Sequence, residues 1–92
     1  MNINEILELA KIKSRNTKNV IARGIIIEFL LFDKDSNKLF INEVSDLFDF
    51  KRQNIYHILK TFDNNYQCFS FYQKCKKLVN ENKDTVREHY IK

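Results

Sequence analysis

The stretch that decides the fold is Phe40–Phe62, FINEVSDLFDFKRQNIYHILKTF. Its apolar residues recur at three- and four-residue steps, which is the spacing of one face of a helix. They form two sets: Ile41, Val44, Leu47 and Phe48, then Ile55, Ile58, Leu59 and Phe62. A largely polar break, Asp49–Asn54, separates the sets, and Ser45 is small enough for two helices to cross closely. Two short helices around a tight turn are typical of a helix-turn-helix.

The second helix of this motif has an outer face without acidic residues. The side chains predicted to point away from the core are Lys51, Arg52, Gln53, Tyr56, His57 and Lys60. Arg52 can pair bidentately with guanine, and Gln53 or Asn54 with adenine. Lys51, His57 and Lys60 are better placed for phosphates, which give affinity but little sequence information. The plain alternative is that these charges are only solvated.

The composition predicts one all-α domain of five or six helices, spanning residues 1–92, around a buried central helix. The chain has one Gly and no Pro, so helices can run uninterrupted. The central helix is predicted from about Lys18 to Phe32 and is apolar nearly all round, which is typical of a hub contacted on several sides. Gly24 inside it costs about 1 kcal/mol relative to Ala, so we expect another helix to approach it closely.

The other helices are predicted from their caps. Asn2 or Asn4 is expected to cap the first helix, Asn16 or Thr17 the central one, and Asn42 the first helix of the motif. After the motif, Asp63 or Asn64 is expected to start a helix that runs to about Asn80, and Asp84 to cap a last short helix with Val86, Tyr90 and Ile91. Asp33–Lys38 is expected to be a polar loop.

The charge distribution says more than the net charge of +4 and the sequence pI of about 9.1. Between Ala10 and Ile27 there are five basic residues and no acidic one, whereas Glu28–Asp49 holds six acids against two lysines. One pole is therefore expected to be basic, and a basic pole suits a polyanion such as DNA. Lys18 and Arg23 of the basic stretch are counted with the candidates above.

Catalysis and cofactors are not expected. Cys68 and Cys75 lie seven residues apart in one predicted helix, roughly 10 Å at 1.5 Å per residue, which is too far for a disulfide. Reduced cysteines and the absence of a leader or a long apolar run predict a cytoplasmic protein, associated with the nucleoid if it binds DNA. No metal-ligand spacing, catalytic constellation, cofactor motif or small-molecule site is evident.

The chain resembles a known family, the C-terminal DNA-binding domain of the bacterial replication initiator DnaA, whose fold is related to that of the Trp repressor. The run Asn19–Arg23 is similar to the family's V-x-A-R-Q segment, and Ile55–Thr61 is similar to its V-L-H-A-C-K-T segment. Arg15 stands eight residues before Arg23, where the family has an arginine that enters the minor groove. The resemblance covers nearly the whole chain and implies this fold and a DNA-docking mode.

The chain departs from the family where the family reads its DNA. Phe48–Asn54 stands in place of a motif close to G-G-R-D-H-T-T, so Lys51-Arg52 replaces the Asp-His pair. A single glycine also cannot supply the family's P-loop ATPase module. The resemblance therefore does not imply the same DNA sequence or a complete initiator.

Two functions follow as hypotheses. The first is a protein that binds double-stranded DNA as a replication accessory factor or a transcriptional regulator. The second is a protein-interaction module on the same fold, a phage or mobile-element factor that acts on host replication or transcription machinery. Four aromatics in seven residues, more than one helix face can bury, motivate the second and allow a homodimer or partner contact there: Tyr66, Phe69, Phe71 and Tyr72.

Overall fold

Six helices account for most of the part of the chain that the structure, a computed structural model, describes: residues 1–33 and 39–90, without the side chain at position 63. They are α1 (Ile3–Lys11), α2 (Thr17–Phe32), α3 (Ile41–Phe48), α4 (Arg52–Tyr66), α5 (Ser70–Glu81) and α6 (Lys83–Tyr90). The predicted all-α class with a helix-turn-helix is confirmed. The predicted loop at positions 34–38, and Ile91 of the last predicted helix, lie outside the described residues.

Helix α2 is the hub of the core, as its all-round apolar sequence predicts. It packs against α1, α3, α4 and α5. The residues of α2 that are at most 1 % exposed are Ile21, Ala22, Ile26, Ile27 and Leu30. Asn16 caps the helix, because its side-chain oxygen accepts a hydrogen bond from the Lys18 N–H at 3.1 Å. Most of the stability of the domain is therefore expected to lie around this helix.

Gly24 marks the place where α4 crosses α2. A Cβ atom at Gly24 would fall inside the space that the Phe62 ring occupies, and Phe62 itself is only 2 % exposed. The expectation of a close helix approach is confirmed, and it explains why a residue with poor helix propensity stands in the hub.

The caps of the shorter helices agree with the sequence in one case and differ in another. Asn2 caps α1 by accepting the Glu5 N–H at 3.1 Å. The expectation that Asn42 caps α3 is wrong. Helix α3 begins two residues earlier, after Phe40, and the Glu43 carboxylate accepts the Phe40 N–H at 3.0 Å. The Glu43 carboxylate therefore satisfies a backbone donor at the start of α3, and the helix does not depend on a cap from the Asn42 side chain.

The connection between α4 and α5 also corrects the sequence prediction. Helix α4 continues through positions 63 and 64 to Tyr66, and the break falls at 67–69. The physical reason is aromatic packing: the Phe62 ring centroid lies 5.6 Å from that of Tyr66 and 5.5 Å from that of Tyr72. Keeping Phe62 and Tyr66 one helical turn apart outweighs the capping preference of Asp and Asn.

The break at 67–69 also separates the two cysteines, which we expected in a single helix. Cys68 is exposed in the connection, whereas Cys75 is fully buried in α5, and both are free thiols. The aromatic surplus is resolved in the same segment. Tyr72 is buried and Tyr66 and Phe71 are half-buried, which leaves Phe69, 43 % exposed, as the aromatic that faces solvent.

Helix α6 closes the core at the end of α2. Its Val86 is fully buried, and the ring of Tyr90 packs 5.6 Å from that of Phe48. Asp33, which the sequence places in a polar loop, is instead the anchor of α6, because its carboxylate lies 3.1 Å from Lys83 Nζ and 2.9 Å from Arg87 Nη2. Asp84, the expected cap, falls in the first turn of the helix.

Candidate nucleic-acid interface

The turn between α3 and α4 is short and tied by hydrogen bonds. Asp49 adopts the left-handed conformation with φ 53°, which Asp tolerates better than most side chains. The Phe50 N–H donates to the Ser45 carbonyl at 3.0 Å, and the Ser45 hydroxyl donates to the Phe50 carbonyl. Ser45 was predicted only as a small residue at a helix crossing, but it also fixes this turn. The non-helical break is Asp49–Lys51, so residues 52–54 already belong to α4.

Helix α4 presents an exposed face that we call the reading face. Its members are Lys51, which directly precedes the helix, Arg52, Gln53, Asn54, Tyr56, His57 and Lys60, and every one of them is exposed. Ile55 and Phe62, at 0 % and 2 % exposed, point the opposite way into the core. The structure therefore brings together seven of the ten candidates.

The electrostatics of the reading face favour an anionic partner. No acidic residue lies in the first turn of α4, and Lys51 and Arg52 stand at its N-terminal end. The backbone dipole of a helix places partial positive charge at that same end. The two contributions have the same sign, so they add.

Arg15 and Lys18, the next two candidates, are both exposed but lie in different surroundings. Arg15 belongs to the segment 12–16 between α1 and α2, which we call the basic loop. The Lys18 ammonium lies 5.7 Å from the centroid of the Phe71 ring, so this side chain faces α5. Arg15 therefore lies in the same segment as the residues that contact the turn between α3 and α4, which are described next.

Arg23, the tenth candidate, is turned inward. It is 8 % exposed, and its guanidinium donates to the Ile12 carbonyl at 2.8 Å and to the Ser14 carbonyl at 3.2 Å. The guanidinium carbon lies 5.1 Å from the centroid of the Phe50 ring. Burial lowers the pKa of Arg23 from its usual value. The structure therefore places Arg23 apart from the reading face, with its donors directed to backbone carbonyls of the basic loop.

A second contact joins the basic loop to the turn. Lys13 Nζ lies 2.7 Å from a carboxylate oxygen of Asp49 and 3.1 Å from its carbonyl oxygen. The hydrogen bond and the charge of Lys13 lower the pKa of Asp49. Sequence reasoning missed this pair, since its members are 36 residues apart and neither follows a helical pattern.

The described residues, 1–33 and 39–90, contain no cluster of three or more His, Cys, Asp or Glu side chains that would hold a metal ion. Within the same residues no helix combines the length and the apolar character needed to cross a membrane. A groove of about 560 Å³ is open to solvent and brings Glu5, Glu8 and Lys18 beside apolar side chains.

The fold and the reading face define an all-α domain with a helix-turn-helix. Searches of protein-family models, curated proteins and solved structures found no match to the chain. The resemblance to the DNA-binding domain of the replication initiator therefore stays a prediction.

Proposed function

We propose that the protein binds double-stranded DNA, with the N-terminal half of α4 in the major groove. The observation that carries the proposal is the reading face: seven exposed side chains, none of them acidic, on a helix whose opposite side is buried at Ile55 and Phe62. A major groove about 12 Å wide admits a single helix presented in this way.

The roles of the side chains follow from their positions along α4. Arg52, Gln53 and Asn54 occupy the first turn, where side chains reach base edges, so Arg52 is proposed to contact guanine and Gln53 or Asn54 adenine. Lys51 and the two residues further along the helix, His57 and Lys60, are proposed to contact phosphates. Tyr56, 58 % exposed, lies between the two groups.

The basic loop is proposed to extend this surface. Arg15 is exposed on it, and the resemblance to the initiator family supports a contact of Arg15 with an adjacent minor groove. Lys18 is proposed to add attraction at longer range. Under this proposal the protein is a non-enzymatic factor in transcription regulation or replication that acts in the cytoplasm on the nucleoid.

The test is a titration of labelled random duplex DNA by fluorescence anisotropy at two salt concentrations. The variant Lys51→Ala/Arg52→Ala is compared with Lys74→Ala/Lys77→Ala, a matched control that removes the same charge from exposed positions of α5. We expect the first variant to bind at least about tenfold more weakly and to lower the salt slope by about 0.9, the value for one phosphate contact, because Lys51 is the phosphate contact of the two residues. We expect the control to bind nearly as the wild type does.

Two results would overturn this assignment. Equal losses for the two variants would mean that only the net charge matters and that α4 is not the DNA surface. No binding by the wild type at low salt would remove DNA binding as the function. If the wild type does bind, a selection of duplex sites would show which bases depend on Arg52 and Gln53.

A protein partner is the second candidate function, and exposed apolar side chains favour it. Phe40, just before α3, is 77 % exposed, Leu47 on α3 is 45 % exposed, and Phe69, just before α5, is 43 % exposed. A nuclease-treated pull-down with the wild type, Phe40→Ser and Phe69→Ser tests it. A complex that either substitution abolishes supports a partner, or a homodimer if the captured protein is the chain itself. Recovery of nucleic acid alone counts against it.

A further inference from the structure

We propose that Lys13 and Asp49 are positioning residues of the DNA surface. Their ion pair, with Arg23 and Phe50 beneath it, holds the basic loop against the turn that precedes α4. The loop and α4 would then meet DNA as one preformed unit rather than as a helix and a free arm. This inference rests on the proposed function.

The lowest layer of this arrangement is Arg23. Its two donor nitrogens reach carbonyl oxygens at both ends of a short stretch, Ile12 at 2.8 Å and Ser14 at 3.2 Å. Since Arg23 belongs to the hub helix and is 8 % exposed, these bonds fix the backbone of the loop relative to the core.

The middle layer is the Phe50 ring in the turn. The Arg23 guanidinium lies 5.1 Å and the Lys13 ammonium 5.7 Å from its centroid, both within the range of cation–π attraction. The carbonyl of Phe50 also accepts the hydroxyl of Ser45. Phe50 thus contacts cations from the loop and from the hub while its backbone is held by α3.

The outer layer is the ion pair itself. Lys13 contacts Asp49 at two points, the carboxylate at 2.7 Å and the carbonyl at 3.1 Å, so it fixes both the side chain and the backbone of the turn. The side chains are 50 % and 91 % exposed. A pair exposed to this degree contributes little to the stability of the fold. Its effect is therefore expected in the placement of the loop, two residues before Arg15.

The charge change separates a positioning role from simple electrostatics. Asp49→Asn removes a negative charge beside the reading face and keeps a side chain that tolerates φ 53°. If charge alone matters, this variant binds every duplex more tightly. If Asp49 positions the loop, the variant loses preference for its selected site in spite of the added positive charge, because the loop must be ordered during binding.

The experiment compares the affinity for a selected duplex with that for a random duplex. Asp49→Asn and Lys13→Met are expected to lower the ratio of the two affinities about fivefold, within the usual size of coupling between contacting residues. Lys13→Arg, which keeps the cation, should retain the wild-type ratio. Asp46→Asn is the matched control, an exposed acid on α3 with the same charge change, and should strengthen binding to both duplexes equally. Unchanged thermal unfolding confirms that each variant is folded.

Amide hydrogen exchange in the free protein tests the same contact without DNA. We expect the amides of residues 13–16 to exchange about fivefold faster in Asp49→Asn than in the wild type, and no change in Asp46→Asn. An unchanged exchange rate, or an affinity ratio that follows Asp46→Asn, overturns the proposal. If the wild type fails to bind DNA, the proposed function fails by itself, and the exchange rates alone decide whether Lys13 and Asp49 hold the loop.

Discussion

Helices α2 and α4 each carry an arginine on an acid-free stretch, and the two side chains have opposite surroundings. Arg23 is 8 % exposed and is bonded to backbone carbonyls, whereas Arg52 is exposed at the start of α4. The cause is the number of covered sides. Helices α1, α3, α4 and α5 pack around α2, whereas the polar side chains in the first half of α4 are exposed. A basic residue is therefore a candidate contact only where its helix is left uncovered.

Because of this difference, substitutions in α2 should mainly affect stability, and substitutions on the reading face should mainly affect the proposed function. Removal of apolar atoms from α2 leaves a void that its neighbours on several sides cannot fill. Removal of a side chain from the reading face leaves only solvent behind. Paired substitutions in the two helices should therefore separate loss of folding from loss of binding.

The largest effect is expected from Ile26→Ala, because Ile26 is 0 % exposed inside the hub. Truncations of this kind cost about 2–5 kcal/mol of unfolding free energy. Ile58→Ala on α4 is the matched change at a half-buried position and should cost about 1 kcal/mol, since less apolar area is lost. Urea unfolding followed by circular dichroism measures both values. Equal losses would show that α4 is as much part of the core as α2.

The next effect compares the two arginines directly. Arg23→Met removes the donors of two loop carbonyls and should cost about 1–3 kcal/mol of unfolding free energy. Arg52→Met should change that free energy by no more than about 0.5 kcal/mol, as is usual for an exposed site, but should weaken binding to duplex DNA. Urea titration and fluorescence anisotropy on the same samples provide the measurements. A stable Arg23→Met variant that binds the selected and the random duplex more weakly by the same factor would return Arg23 to the DNA surface, because a misplaced loop would change the ratio of the two affinities.

The sequence predicts those parts of the fold that depend on local pattern. The two apolar sets of the motif (except Leu47, which is 45 % exposed), the all-round apolar hub and the close approach at Gly24 follow from spacing and propensity within a few residues. Where α4 ends is not predictable in this way, because the packing of Phe62 on Tyr66 and Tyr72 outweighs the capping preference at positions 63 and 64.

In the candidate site, too, the features set by local pattern are predictable and those set by contacts between distant segments are not. The reading face is the polar complement of an apolar helical stripe, so the position of each residue on α4 decides its exposure. The inward direction of Arg23 and the Lys13–Asp49 pair depend on contacts between distant segments, 36 residues apart in the second case. No local pattern encodes such a contact, which is why a count of basic residues does not reveal that Arg23 is buried.

A smaller effect tests the crossing of the two helices at Gly24. Gly24→Ala gains about 1 kcal/mol of helix propensity and loses about 1–3 kcal/mol to overpacking against Phe62. We expect a net loss of about 1 kcal/mol in urea unfolding. In a Phe62→Leu background the ring is gone, so the same substitution should be neutral or stabilising. A loss that is identical in both backgrounds would mean that the Phe62 ring is not the neighbour that matters.

At neutral pH the last effect is the smallest, because it appears only in alkali, where it distinguishes the interior from the surface. Burial raises the pKa of the Cys75 thiol from 9.0 to about 12, and burial with the charge of Glu8 raises that of Tyr90 from 10.0 to about 12. Between these values the unfolded chain releases protons that the folded chain retains, so the free energy of unfolding must fall as pH rises from about 9 to 12.

Urea midpoints at pH 7, 9 and 10.5 should show this fall in the wild type and in Cys68→Ala, whose thiol lies on the surface. Cys75→Ala begins with a less stable core at every pH, but its midpoint should decline less steeply. Parallel declines in the two variants would place the alkaline sensitivity at Tyr90 instead, whose pKa burial also raises.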